Sequence, residues 1–316
     1  MAFQGFARVW TPLLPSRSVT NGPVGVKVAG EKVVLFRGRD GKAAALVDRC
    51  PHRGVELSLG SVGDDGCIAC PFHGWRFGAD GTARGVPLNP DAKLERLGAT
   101  PLPVREIGEL LWIYTAPGTE APSEPVPPEA LVDPGLRRTY LETTWRCHWT
   151  RAMENMLDTP HLPFVHRRSI GRSMARRMTP SSRMEITWEE MPWGSRQGFR
   201  LDGKGNLAYL DFHRPNMMAL HIPLPGRRFH MHALVVPVDD RTTRLIVASA
   251  RDFATLAPLD VIFDRINARV AGEDQVVVET SDPVEVPPAG QEVSVATDRA
   301  TLHFRKYYQE ELRGSA

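Results

Sequence analysis

The sequence CPHRGVELSLGSVGDDGCIACPFHGW, Cys50 to Trp75, contains three of the chain's four cysteines and two of its ten histidines. Cys50-x-His52 is followed, after seventeen residues, by Cys70-x2-His73, so each of two segments offers one thiolate and one imidazole. Three clustered cysteines and one remote cysteine do not suggest a disulfide framework, and a clustered set more often binds metal. The spacing therefore predicts a metal site built from these two matched pairs.

Two kinds of metal centre fit such a ligand set. A single zinc ion can take two cysteines and two histidines, whereas a two-iron cluster can take two thiolates on one iron and two imidazoles on the other. Gly54 and Gly74 follow the two histidines, and glycine lets backbone N–H groups approach the sulfides closely. Zinc fingers place their histidines on a helix at a spacing of three to five residues, which this stretch lacks. The details favour iron.

With Pro51 after the first cysteine and CPFHGW at the second, the stretch resembles the Rieske iron–sulfur proteins. The resemblance implies a [2Fe-2S] cluster held by four residues: Cys50, His52, Cys70 and His73. Cys67 is then expected to be a buried strand cysteine. High-potential respiratory Rieske proteins carry an extra cysteine in each loop, where this chain has Val55 and Phe72. The resemblance thus implies a low-potential cluster that feeds electrons to an oxygenase.

Composition predicts a globular chain with two domains. The 316 residues are 42% hydrophobic and 24% charged, and the net charge of +2 argues against nucleic acid or a membrane surface as the main partner. No apolar run approaches the roughly 20 residues of a membrane helix, and the first residues lack a basic leader with an apolar core. We expect a soluble, cytoplasmic protein without a membrane partner.

The order of sequence patterns predicts an α+β protein with an all-β N-terminal domain. Short apolar runs and Gly-rich turns at 24–48 indicate antiparallel hairpins, and five prolines at 118–135 mark a linker. We predict a Rieske domain at 1–118, a linker at 119–135 and a catalytic domain at 136–316. In the last of these, the patterns indicate elements at 145–158 (helix), 207–213, 217–222, 229–238 and 243–250 (strands), 258–272 and 298–313 (helices, the latter capped by Asp298).

A second metal motif follows the first predicted helix of the catalytic domain. Asp158-x2-His161-x4-His166 offers a carboxylate and two imidazoles, and a separation of three would place Asp158 and His161 on one helix face. Pro160 and Pro163 break the regular structure and can turn His166 back toward the same point. Together with the cluster motif, this pattern resembles the Rieske non-heme iron oxygenases over the whole chain, with a helix-grip catalytic domain.

The resemblance implies a mononuclear Fe(II) held by His161, His166 and a downstream carboxylate, with open positions for O2 and substrate. The segment EDQVVVE at 273–279 resembles the family's late helix, so we expect Asp274 to be the third ligand. The alternatives are Glu273, Asp264 and Asp282. Asp158 is then expected to be an electron-transfer bridge, because in the family's trimers this carboxylate links a Rieske histidine of one subunit to an iron ligand of the next.

The implied function is that of a terminal oxygenase in aromatic compound metabolism, a homotrimer that uses O2 to hydroxylate or demethylate a small aromatic or alicyclic substrate. Electrons come from NAD(P)H through a separate reductase or ferredoxin, because this chain lacks a Gly-rich dinucleotide fingerprint. One alternative is a cis-dihydroxylating ring dioxygenase, and another is a Rieske electron-transfer protein without oxygenase activity. The six arginines at 167–183 suggest a solvated loop, a docking surface for an acidic reductase, or a site for a carboxylated substrate.

Overall fold

The computed structural model describes residues 3–288 and 290–314. It divides into two compact units, the first ending at Pro125 and the second running from Val126 to Gly314. The division falls inside the proline-rich segment 119–135. The indole Nε1 of Trp10 donates to the carbonyl of Ser123 at 2.7 Å, which holds the start of that segment against the first unit.

The first unit consists of short antiparallel strands in three sheets. The strand orders are β1-β11-β10, β2-β3-β4-β9 and β5-β6-β7-β8. The bounds are β1 (Trp10–Pro15), β2 (Val24–Val28), β3 (Glu31–Arg37), β4 (Ala43–Val47), β5 (Ser61–Val62), β6 (Ile68–Ala69), β7 (Arg76–Phe77), β8 (Ala83–Gly85), β9 (Pro101–Leu102), β10 (Val104–Ile107) and β11 (Leu110–Tyr114).

One hydrophobic core joins two of these sheets. Phe36 and Leu46 of the β3–β4 hairpin and Ile68 and Phe77 of the β6–β7 hairpin are fully buried in it. The same cluster contains Cys50 and Cys70, so burial of the apolar strands also fixes where the two cysteines lie.

The second unit is a seven-stranded antiparallel sheet with helices packed on it, which confirms the predicted α+β class. The strand order is β12-β18-β17-β16-β15-β14-β13. The bounds are β12 (Arg137–Trp145), β13 (Met184–Met191), β14 (Gly194–Leu201), β15 (Ala208–His213), β16 (Met217–His221), β17 (Phe229–Asp239), β18 (Thr242–Arg251), α1 (Trp149–Leu157), α2 (Leu162–Val165), α3 (Arg172–Arg177), α4 (Asp260–Val278) and α5 (Arg299–Lys306), followed by a π-helical turn at Tyr307–Leu312.

The predicted strands at 208–250 are present, but several helix bounds differ. Helix α1 begins at Trp149 rather than at 145, because Trp145 still pairs with Thr243 in the sheet. The imidazole of His148 caps α1 by accepting the N–H of Thr150. Asp298 occupies the N-cap position of α5, yet its carboxylate accepts the N–H of Val295 and makes no cap bond to the helix.

The two faces of the seven-stranded sheet carry side chains of different kinds. On one face the hydroxyl of Ser249 and the amide of Asn267 are hydrogen-bonded at 3.0 and 3.2 Å, which joins β18 to α4. Helix α1 contacts strands β15 to β18, and α4 contacts β12 and β18. The other face carries polar side chains from β14 to β17.

No helix in the described part of the chain is long and apolar enough to cross a membrane.

Candidate metal centres

The first predicted ligand pair lies in a closed turn after β4. The N–H of Cys50 donates to the carbonyl of Val55 at 2.8 Å, and the N–H of Gly54 donates back to the carbonyl of Cys50 at 2.8 Å. Gly54 has a φ of +73°, which is costly for any residue with a Cβ. The turn therefore specifies glycine two residues after His52.

The second pair lies in a turn with the same hydrogen bonds, between β6 and β7. The N–H of Cys70 donates to the carbonyl of Trp75 at 2.8 Å, the N–H of Gly74 donates to the carbonyl of Cys70 at 3.0 Å, and Gly74 has a φ of +70°. Two loops of one design, each closed by its own backbone, present one thiol and one imidazole apiece.

The four side chains form a buried pair of thiols and a neighbouring pair of imidazoles. The ring centroids of His52 and His73 are 4.7 Å apart, and His52 stacks on Trp75 with the rings 3° from parallel. Cys50 and Cys70 are buried, and burial raises the pKa of the Cys50 thiol. Thiolates in such a place require cations beside them. The set fits a [2Fe-2S] cluster with two sulfur and two nitrogen ligands.

Cys67 lies outside both turns. It is buried and immediately precedes β6, and its N–H donates to the carboxylate of Asp65 at 3.2 Å. Thus Cys67 stands at the start of a strand, in keeping with the structural role expected for it.

The second motif is arranged by a turn and not by one helix. Helix α1 ends at Leu157, and the N–H of Asp158 donates to the carbonyl of Glu154 at 3.0 Å as its C-cap. His161 precedes the short helix α2 and His166 follows it. The prediction that Asp158 and His161 share a helix face was therefore wrong, because the chain leaves the helix between them.

The structure brings His161, His166 and Asp274 together. One nitrogen of each imidazole and one carboxylate oxygen all lie within 4.8 Å of one another, and among the described residues no other group of three such side chains does so. Nε2 of His166 and of His161 lie 3.0 and 3.6 Å from Oδ1 of Asp274. That oxygen is buried and has no hydrogen-bond donor. Three converging ligand atoms with an unsatisfied buried anion fit a divalent cation.

Helix α4 supplies the carboxylate. The segments predicted separately at 258–272 and 273–279 form this single helix, and Asp274 lies in its last turns with 4% of the residue exposed. Packing of α4 on β12 and β18 carries Asp274 to the two histidines. Of the other carboxylates considered, Asp264 and Asp282 are outside the ligand group.

Glu273, the main alternative ligand, has another position. Its Oε2 lies 2.9 Å from Nδ1 of His166, on the opposite side of the ring from Asp274, and it also accepts hydrogen bonds from Ser169 and Arg269. A carboxylate on the second nitrogen of a metal-binding imidazole fixes its tautomer and orientation. With Nδ1–H donated to Glu273, Nε2 of His166 presents its lone pair toward Asp274. Sequence reasoning had not assigned Glu273 this role.

The two imidazoles titrate differently. Burial lowers the pKa of His161. Burial also opposes protonation of His166, but the carboxylates of Asp274 and Glu273 outweigh it, so the pKa of His166 lies above its usual value. The carboxylates that raise this pKa favour any cation at the site, a proton or a metal ion.

Asp158 lies beside the group without joining it. Its Oδ2 is 3.9 Å from Nδ1 of His161, which is beyond hydrogen-bond range, and that nitrogen is buried without a partner. Burial, and next the charge of Asp298, raise the pKa of Asp158 to about 6. The Asp158 side chain is 36% exposed.

A narrow apolar cavity of about 60 Å³ opens on the three ligand side chains. Most of its lining is aliphatic or thioether: Met156, Leu162, Ile170, Leu210, Met218, Leu220, Met231, Leu245 and Val247. Of the Arg-rich stretch 167–183 only Ile170 lines it. Because its arginines are exposed and away from this cavity, they give no support to a carboxylated substrate held by that stretch.

Two family models match the chain. Residues 9–101 match the Rieske [2Fe-2S] domain. Residues 145–313, more than half of the chain, match the vanillate O-demethylase oxygenase C-terminal domain. The first match covers the two Cys/His loops, and the second covers the three-ligand group.

Individual proteins are similar to this chain in sequence. The oxygenase subunit of tert-butanol monooxygenase / tert-amyl alcohol desaturase from Aquincola tertiaricarbonis is 29% identical over 58% of this chain and 40% of its own length. Methylxanthine N3-demethylase NdmB from Pseudomonas putida is 28% identical over 92% of this chain and 83% of its own length. The chain spans about two fifths of the length of the first curated relatives it matches, 40%, 43% and 41%.

Solved structures show the same fold. NdmA of Pseudomonas putida CBB5 with caffeine superimposes with a TM-score of 0.83 over 96% of this chain and 90% of that one, at 23% identity. At such identity the likeness is one of fold.

Proposed function

The chain belongs to the Rieske non-heme iron oxygenases, in the family of the vanillate O-demethylase oxygenase C-terminal domain, and we propose that it is the terminal component of a hydroxylating or demethylating system. The observation that carries the proposal is the His161–His166–Asp274 group at the end of an apolar cavity, in one chain with a pair of Rieske loops. An electron carrier would have no use for the second group.

The residues that would hold each cofactor follow from their contacts. Cys50, His52, Cys70 and His73 would hold the [2Fe-2S] cluster, and His161, His166 and Asp274 would hold Fe(II). When bound, the cluster supplies electrons one at a time and the iron supplies the activation of O2. With only three protein ligands, such an ion would keep coordination positions for O2 and substrate.

The cavity limits the substrate to a small, largely apolar molecule. Aliphatic and thioether side chains make up most of its lining, which favours an apolar ligand. Asn267 of α4, which also lines the cavity, is already bonded to Ser249. A small aromatic or alicyclic compound with a methyl or methine group to oxidise fits this lining. Hydroxylation or demethylation is favoured over ring dihydroxylation because NdmB, aligned over most of this chain, is a demethylase.

The test is a substrate screen with a surrogate reductase. We expect NADH and O2 consumption that depend on an added methylated or small alicyclic compound, and iron content of about three per chain. About two irons per chain, with no substrate-dependent O2 consumption, would instead identify an electron-transfer protein. A cis-diol among the products would identify a ring dioxygenase.

The electron route is proposed to run between subunits of a homotrimer. The proposed bridge is Asp158, which is partly exposed and lies near His161. Mixed trimers test this: a Cys70→Ser chain and an Asp274→Ala chain, each inactive alone, should regain part of the turnover when co-expressed. No recovery in trimers shown by mass to contain both chains would refute transfer between subunits.

A separate NAD(P)H-oxidising reductase or ferredoxin is the proposed electron donor, and a cytoplasmic location follows because NAD(P)H is generated and used there. Cell fractionation with an antibody against the chain checks the location. Electron transfer from candidate donors is followed by bleaching of the oxidised cluster's colour under anaerobic conditions.

A further inference from the structure

The sheet face opposite the iron group carries four of the chain's ten histidines. His221 of β16 lies directly across from His230 of β17, and His232 lies two residues beyond on the same face. In the next row Ala219 stands between Asp211 and His232. Since Ala219 has only a methyl group, this row leaves open space among polar neighbours. We call these three imidazoles, together with His213 of β15, the histidine face.

A cavity of about 410 Å³ lies over the histidine face, between the sheet and the chain segment 126–136. Its charged lining comprises Asp211, Glu129 and Asp133 against Arg196 and Arg228. Three acids and two arginines leave an excess of one negative charge, so the lining favours a cation over an anion.

Two imidazole nitrogens converge at this cavity. Nδ1 of His221 and Nδ1 of His230 are 3.0 Å apart. On its other side, Nε2 of His221 lies 2.7 Å from Oδ2 of Asp211, and Arg196 holds that carboxylate by two further bonds of 2.7 and 2.8 Å. Donation of Nε2–H to Asp211 leaves a lone pair on Nδ1 of His221. A carboxylate on the far nitrogen is the usual support of a metal-binding imidazole.

The remaining imidazoles of the histidine face also present unused acceptors. Nδ1 of His213 and Nδ1 of His232 are buried and have no hydrogen-bond partner, and the residues are 7% and 1% exposed. Both atoms can therefore accept a hydrogen bond from a group bound in the cavity.

We propose that His221 and His230 bind a divalent transition-metal ion through their Nδ1 atoms, on the face opposite the iron, with water completing its coordination. Metal–nitrogen bonds of about 2.0–2.1 Å place two such ligands on one ion at close to the observed separation. Water molecules on the ion can donate hydrogen bonds to Nδ1 of His213 and His232, which supplies the partners that these buried atoms lack. Copper, nickel and zinc have the highest affinity for imidazole ligands. The site is independent of the proposed oxygenase activity.

The probe is Zn²⁺ alone, added to the iron-loaded protein and measured with iron by elemental analysis after equilibrium dialysis. We expect about one zinc per chain with the iron content unchanged. His221→Phe and His230→Phe should each abolish this zinc, while His303→Phe, a change at an exposed histidine on α5, should keep it. Unchanged cluster absorbance and thermal midpoint show that each variant is folded.

Two further variants test whether the zinc binds at His221 and His230. Asp211→Asn retains both imidazoles and should weaken zinc binding about 10–100-fold, because Asp211 orients His221 and adds negative charge to the cavity. Zinc binding should persist in Asp274→Ala, which rules out replacement of iron at the other centre. The proposal is overturned if the iron-loaded wild type takes up no zinc, or if both phenylalanine variants still bind it. In that case His221 and His230 share only a hydrogen bond.

Discussion

The two units build their metal centres in opposite ways. In the first, both loops close on themselves through backbone hydrogen bonds, and all four ligands lie between Cys50 and His73. In the second, the two histidines flank one short helix, while Glu273 and Asp274 lie on another helix, 107 and 108 residues beyond His166. The cluster site is therefore a property of two local turns, whereas the iron site exists only when α4 is packed on the sheet.

This difference indicates how much the geometry of each centre depends on the rest of its unit. A closed turn with glycine at positive φ keeps its geometry through local bonds. A carboxylate delivered by a helix depends on every contact that docks the helix, including Asn267 with Ser249. A substitution at one centre should therefore remove the metal of that centre and leave the metal of the other in place.

The largest effect is expected from Asp274→Ala. Without the carboxylate, two imidazoles leave the charge of Fe(II) uncompensated, so iron should fall from about three to about two per chain and turnover should drop below detection. The cluster's visible absorption should not change. Asp282→Ala, at an exposed carboxylate near the end of the same helix, is the matched control and should retain all iron. Loss of the cluster in Asp274→Ala would contradict the independence of the two centres.

The converse variant is Cys70→Ser. Removal of one thiolate should abolish the red-brown cluster, and with it reductase-dependent turnover, while about one iron per chain stays at the second centre. Elemental analysis together with the visible spectrum measures both. Cys67→Ser, which changes the buried cysteine outside the loops, should keep the cluster. A colourless Cys67 variant would mean that Cys67 and not Cys70 is the ligand.

A smaller effect is expected from Asp158→Asn. The amide cannot replace the charge of the carboxylate near His161, so turnover should fall about 10–100-fold with both metal centres retained. Single-turnover reduction of the iron by the reduced cluster, followed by stopped-flow absorbance, should slow to the same degree. Full activity would exclude Asp158 as the bridge and leave the two centres coupled by another route.

The smallest effect concerns stability. Glu292 accepts hydrogen bonds from Arg151 of α1 and Arg305 of α5, at 2.7 and 2.5 Å, and these hold its pKa at about 2 against an ordinary 4.5. Glu292→Gln should lower the free energy of unfolding by about 2 kcal/mol at pH 7, after allowance for the partly exposed carboxylate. Urea unfolding followed by tryptophan fluorescence measures this loss.

The stabilisation by the Glu292 carboxylate should depend on pH. A folded-state pKa below the unfolded value means that the stabilisation is present above about pH 4.5 and disappears as pH falls toward 2. The difference between wild type and Glu292→Gln should shrink over the same range. Glu310→Gln, which removes an exposed partner of Lys306, should change stability by less than about 0.5 kcal/mol at any pH.

Much of the fold was predictable because its signals are local. The strands from 208 to 250 alternate or run apolar between clear turns, and their bounds agree with the sequence pattern to within one or two residues. Strands β13 and β14 were not predicted. They carry many charged residues, and β13 is an edge strand with alternating partial burial, so its pattern is that of a solvated segment.

The sequence by itself predicted the ligand types of both centres, because the pairs Cys50/His52, Cys70/His73 and His161/His166 each lie within a few positions of one another. It also gave Asp274 and its neighbour Glu273 as candidates for the third iron ligand. Only the tertiary structure decided that Asp274 faces the two histidines while Glu273 takes the far nitrogen of His166, since a helix turns by about 100° per residue and its docking selects which side chain points inward. Likewise His221 and His230 meet only through the pairing of β16 with β17, and strand register is a long-range property.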